Sequence, residues 1–130
     1  MQAQLLLRVA AAIAPTGSIS VGRTNGVGVA VEPDMLLFAG GYTDSKGKNK
    51  SARVDLYNVS SNTWSTHEMT TGRTLFAGAA LGDLAMFGCG ETGVNVHSSE
   101  TDSIDVWNAS ANTWSFIKRV GCWLPALGFC

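Results

Sequence analysis

Apolar residues in this chain come in runs of four to six, each cut off by turn-forming residues before a helix could complete its turns. The runs are Val27 to Val31, Met35 to Ala39, Ala52 to Tyr57 and Thr63 to His67. They recur as Ala77 to Leu81, Leu84 to Phe87, Ser103 to Trp107 and Thr113 to Lys118. Between them lie "EPD", the polar stretch "TDSKGKNKSA" and "NVSSN" in the first half, with related segments in the second. Short runs rich in Val, Ile, Phe, Tyr and Trp, bounded by Gly, Pro, Asn, Asp and Ser, predict strands. No apolar run reaches the roughly 18 residues of a membrane span, so none is expected.

The two sets of runs are one pattern written twice. "DLYNVSSNTWS" at Asp55 to Ser65 returns as "DVWNASANTWS" at Asp105 to Ser115, with seven of eleven positions identical. Arg23 matches Arg73 and Gly28 matches Gly78 at a spacing of 50, whereas Asp34 matches Asp83 and Phe38 matches Phe87 at 49. One residue is therefore lost in the turn before the second strand and regained in the loop after it, as structural repeats allow. Four antiparallel strands per fifty-residue unit is the content of one propeller blade. The large aromatics suit the wedge between blades, which predicts Trp64 and Trp114 as equivalent buried residues.

These motifs resemble the kelch repeat: an apolar run, a double glycine, an aromatic residue and then a Trp. They stand here as Leu36-Leu37-Phe38-Ala39-Gly40-Gly41 with Tyr57 and Trp64, then as Leu84 to Phe87 with Cys89-Gly90, Trp107 and Trp114. The second double glycine has become Cys-Gly, which puts a side chain where the family keeps bare backbone. The resemblance implies an all-β chain of kelch-like β-propeller blades, each a four-stranded antiparallel sheet, in an incomplete propeller. Residues 23–70 form the first blade and 71–120 the second. Residues 1–22 are a ragged segment, read as a worn repeat, a helix or a targeting remnant, and 121–130 an apolar tail.

Composition narrows the function classes. A net charge of −1 gives no basic face for nucleic acid, and 15% charged residues is low for a freely soluble surface. Cys89, Cys122 and Cys130 lack zinc or redox spacing; two of them could pair, but they read better as three unpaired thiols, which leans toward a cytoplasmic setting. Asn49, Asn58 and Asn108 each begin a glycosylation acceptor pattern, but Asn and Ser are also what these turns require.

Catalytic chemistry finds little support. His67 and His97 lack a relay partner or a second His at metal-ligand spacing, and read as strand-edge or solvated residues. "GCGETG" lacks the Lys of a phosphate loop. The Tyr, His and Cys ligands of kelch-type copper oxidases are not evident, so no metal or cofactor is expected. Partner binding is the better expectation. Lys46, Lys48, Lys50 and Arg53 crowd the long loop of the first unit, while Glu91, Glu100 and Asp102 lie in its counterpart. The kelch resemblance also implies that Arg23 and Arg73, at strand entries, face a protein partner. The expected function is a non-catalytic protein-interaction or scaffolding module that self-associates or packs into a larger complex. The alternatives are a fragment of a kelch-type oxidase or sugar-active enzyme, or a structural subunit of a large assembly.

Overall fold

A computed structural model of the chain describes residues 17–93 and 100–118. Within them the architecture is all-β, with no helix and eight strands. The strands are β1 (Val27–Val31), β2 (Met35–Ala39), β3 (Arg53–Asn58), β4 (Thr63–Glu68), β5 (Ala77–Leu81), β6 (Leu84–Gly88), β7 (Ile104–Asn108) and β8 (Thr113–Ile117). They form two four-stranded antiparallel sheets in simple meander order, β1-β2-β3-β4 and β5-β6-β7-β8. Each sheet has the form of one propeller-like blade, and the pair does not close into a ring. The predicted strands agree with these to within a residue or so at each end.

The lost and regained residue falls where the sequence puts it. Three residues, Glu32 to Asp34, link β1 to β2, but only Gly82 and Asp83 link β5 to β6. The repeated Asn-rich phrase is the turn of the outer hairpin. Asn58 Oδ1 accepts the Ser61 N–H at 2.9 Å, and Asn108 Oδ1 accepts the Ala111 N–H at 2.9 Å. Asn62 and Asn112 then take left-handed backbone, φ 55° and 50°, which Asn tolerates better than most residues.

The sheets stack face to face. Strand pairing sets Val54, Leu37 and the β1 valines on one face of the first sheet, because opposed residues share a face and neighbours alternate. That face meets Ala85, Phe87 and Trp107 of the second sheet, and all belong to a single apolar cluster. Gly78 lets the backbones approach, since a Cβ there would collide with Val27 Cγ1. Polar contacts stitch the same seam: Gly41 N–H donates to the Arg73 carbonyl at 2.9 Å, and Thr74 Oγ1 donates to the Asn25 carbonyl at 3.3 Å.

Gly40 and Cys89 are repeat partners with the same left-handed φ of 61°. A Cβ at Gly40 would lie 2.6 Å from Phe76 Cε1 and 2.7 Å from the Arg73 carbonyl oxygen. The following sheet thus requires glycine at residue 40. Cys89 keeps the backbone turn but carries a side chain, which is disulfide-bonded. This corrects the reading of three unpaired thiols.

The tryptophan expectation needs adjustment. Trp64 and Trp114 are half-buried on the outer strands β4 and β8, and the fully buried indole is Trp107. Trp114 does lie between the sheets, stacked on His67 of β4 with centroids 4.1 Å apart and planes at 7°. Residues 17–20 complete the symmetry. Gly17 sits against Trp64 as His67 sits against Trp114, and the Ser20 N–H donates to Asp55 as the Thr70 N–H donates to Asp105, both at 2.9 Å. This short run therefore takes the place that the end of a preceding blade would occupy. Residues 1–16 and 119–130 lie outside the described residues, and with them the readings offered for most of the ragged segment and for the tail.

His67 gives the seam a pH dependence. Partial burial pushes its imidazole below the ordinary value, against the opposing charges of Asp105 and Glu68. A histidine with a depressed folded value favours folding while neutral, so this contribution is present above about pH 6.5 and fades as pH falls through the folded value. Thermal melts should therefore drop as pH is lowered from about 7 toward about 5, and His67→Gln should flatten that part of the profile. An unchanged slope in the variant would remove His67 from the seam's energetics.

Candidate interaction surface

Arg23 and Arg73 have structural duties. The Arg73 side chain is fully buried: Nη2 pairs with Asp105 Oδ2 at 2.7 Å and donates to Ser103 Oγ at 3.1 Å, while Nη1 donates to the Cys89 and Ser103 carbonyls. Burial pulls its guanidinium below the ordinary value and Asp105 pulls it back up. Arg23 repeats the pairing with Asp55, and both side chains are almost wholly buried. In each unit, an arginine at the strand entry is thus clamped inside its own sheet by a β-strand aspartate. Arg73 is closed off from any partner, which corrects the expectation placed on it, whereas Arg23 keeps one guanidinium nitrogen, Nη1, without a hydrogen-bond partner.

The two charged loops occupy equivalent places in their units. Thr24, Tyr42 and Lys50 form a run of isolated bridges in the first unit, and Thr74, Glu91 and Glu100 form the equivalent run in the second. Lys50 and Glu100 are therefore repeat partners of opposite sign. Lys50 Nζ also crosses the seam and donates to the Thr92 carbonyl at 3.2 Å. Lys46 and Lys48 are exposed at the tip of the first loop. Asp44 shapes that tip: its carboxylate accepts the N–H groups of Lys46, Lys48 and Asn49 at 2.8–3.0 Å. Those backbone donors, Lys48 first, hold the Asp44 carboxyl below its usual range. Arg53 lies apart, paired with Glu68 at 2.7 Å across β3 and β4. Asp102 is half-buried near the start of β7, and Glu100 is exposed. His97 lies outside the described residues, among which no group of His, Cys, Asp and Glu is placed to hold a metal ion. No helix among them is long and apolar enough to cross a membrane.

The most distinctive surface is apolar and lies on the unmated sheet faces. Repeat partners differ sharply in exposure according to which side of a sheet they occupy. Leu37 is 0% exposed on the mated face of the first sheet, but its partner Met86 is 41% exposed on the far face of the second. Val31 at 3% has its partner in Leu81 at 83%. On the other side, Phe87 is 0% exposed against the first sheet, while Phe38 is 37% exposed on the outward face of its own. Ile117 shares the open face with Met86 and Leu81, since β5, β6, β7 and β8 pair in one register. The signal was legible in principle: strand alternation combined with the repeat offset places these residues on faces whose counterparts are mated.

No protein-family model matches the chain, and no curated protein is significantly similar to it.

Proposed function

We propose that the chain is a non-catalytic protein-interaction or scaffolding module of kelch-like blades, working by docking its open sheet faces onto further protein surfaces. The observation that carries this reading is the exposure of Leu81 and Met86 beside the burial of their repeat partners Val31 and Leu37. A face built like the mated one, and left open, costs free energy in water until something covers it. Contiguous apolar patches beyond a few hundred Å² mark contact sites, and closed propellers need roughly four to eight blades. Candidates to cover the faces are copies of this chain, blades of another protein, or neighbours in a larger complex. The loop pair bearing Lys46, Lys48 and Lys50 beside Glu91 and Glu100 adds a two-signed rim that orients the approach more than it strengthens it.

The test is a double substitution on the open face. Leu81→Lys with Met86→Lys should shift sedimentation at micromolar concentration toward monomer and leave the melting temperature nearly unchanged, since neither residue supports the seam. A monomeric parent that binds no dye for exposed apolar surface, or an assembled parent whose sedimentation the double substitution leaves unaltered, would sink the docking reading.

A further inference from the structure

The second sheet shows what belongs at the inner end of each interface. The Phe76 ring is buried there, packs edge-on to Phe87 with centroids 6.4 Å apart and planes at 62°, and reaches the backbone of Gly40. The repeat puts Gly26 at the corresponding position of the first sheet. The aromatic wall that would receive the ring is still in place. Phe38 stacks on Trp64 at 6.2 Å and 29°, as Phe87 stacks on Trp114 at 6.4 Å and 22°. Where the ring would be there is a cleft of ≈ 290 Å³, whose walls include Ile19, Arg23, Gly26, Val27, Gly28 and Phe38. Residue 26 cannot readily fill it, because a Cβ would lie 2.8 Å from the Ala39 carbonyl oxygen.

Arg23, one of the residues lining the cleft, also holds an unused donor. Arg23 Nη2 is taken by Asp55 and the Phe38 carbonyl, but Nη1 is buried with no hydrogen-bond partner. The Arg23 side chain is only 4% exposed. Its counterpart Arg73 has Nη1 satisfied by the Cys89 and Ser103 carbonyls, at 3.3 and 2.9 Å. A buried donor left unpaired is costly, and an incoming oxygen removes that cost.

We infer that this cleft receives an aromatic side chain of a protein partner, with a backbone carbonyl oxygen beside it accepting from Arg23 Nη1. The inference rests on the docking reading above and assigns its chemistry on one face. A second copy of this chain is the poorer occupant. Docked as the first sheet docks on the second, it would bring Cys89, the repeat partner of Gly40, to this space rather than an aromatic ring.

The experiment titrates N-acetyl-phenylalanine methylamide into the ¹⁵N-labelled full chain carrying Leu81→Lys and Met86→Lys, which keep the opposite face from assembling. The expected result is saturable shifts at the amides of Gly26, Gly28 and Phe38, at roughly millimolar ligand, as a ligand this small permits. N-acetyl-alanine methylamide should bind about tenfold or more weakly, reflecting the lost ring burial. Arg23→Lys, which retains a cation for Asp55, should weaken binding about fivefold through loss of the Nη1 donor. Phe38→Leu should weaken it too, and serves if the lysine variant does not fold. Shifts that do not saturate, equal binding of the two ligands, or shifts confined to the second sheet would overturn the inference. The docking reading would then still stand or fall on the sedimentation of the parent chain and its double variant.

Discussion

Replacing Asp105 with alanine is expected to cost about 3–5 kcal/mol of folding stability, because it strands the fully buried Arg73 guanidinium without its counter-charge. The loss goes beyond one ion pair. Asp105 also accepts the Thr70 N–H and hydroxyl, tying the entry of the second unit to its third strand. Since a small domain has only about 5–15 kcal/mol of stability, the variant should be largely unfolded well below the parent's midpoint. Removing both charges with apolar residues of similar volume should cost less than removing either alone, since no uncompensated charge then remains. Urea denaturation of the two single variants and the double variant measures this. A single variant as stable as the parent would mean that the arginine reaches solvent.

Phe87→Ala should likewise cost about 3–5 kcal/mol, and Phe38→Ala much less, although the two occupy the same place in the repeat. The difference is location. Phe87 is sealed between the sheets, whereas Phe38 faces outward and remains more than a third exposed. The removed ring leaves a cavity in the first case and mostly releases surface to water in the second. Chemical or thermal melts of the pair should therefore separate by at least about 2 kcal/mol. Equal effects would indicate that the outward face of the first sheet is covered after all.

Much of this fold could be read from the sequence. Strand positions followed from run length and composition, and the lost residue at Gly82-Asp83 from the change in repeat offset. Sheet faces were harder, because the apolar runs are dense on both sides of each strand. Leu36 and Leu37 are equally apolar, yet only Leu37 is sealed in the seam. Alternation gives two faces, but neither hydropathy nor spacing says which one a neighbour covers. The arginines were misplaced for a related reason. A lone Arg at a strand entry reads as surface charge unless its partner is known, and the partner lies 32 residues away in each unit. The clue was the recurrence of Asp55 as Asp105 at that same separation. The charged loops are expected on a common side because equivalent loops project alike. Their cross-seam link from Lys50 to the Thr92 carbonyl, a contact to backbone, left no trace in residue type.

One pair of apolar faces is mated within the chain, while the equivalent pair is exposed. Hydroxyl-radical footprinting across a dilution series tests it at single residues. Leu37 and Phe87 should be protected at every concentration, because the chain itself covers them. Met86 and Phe38 should be reactive at high dilution and become protected only as concentration rises or a partner is added. Protection of Met86 and Phe38 equal to that of Leu37 and Phe87 at the lowest concentration would mean that the chain alone closes these faces and that no docking surface exists.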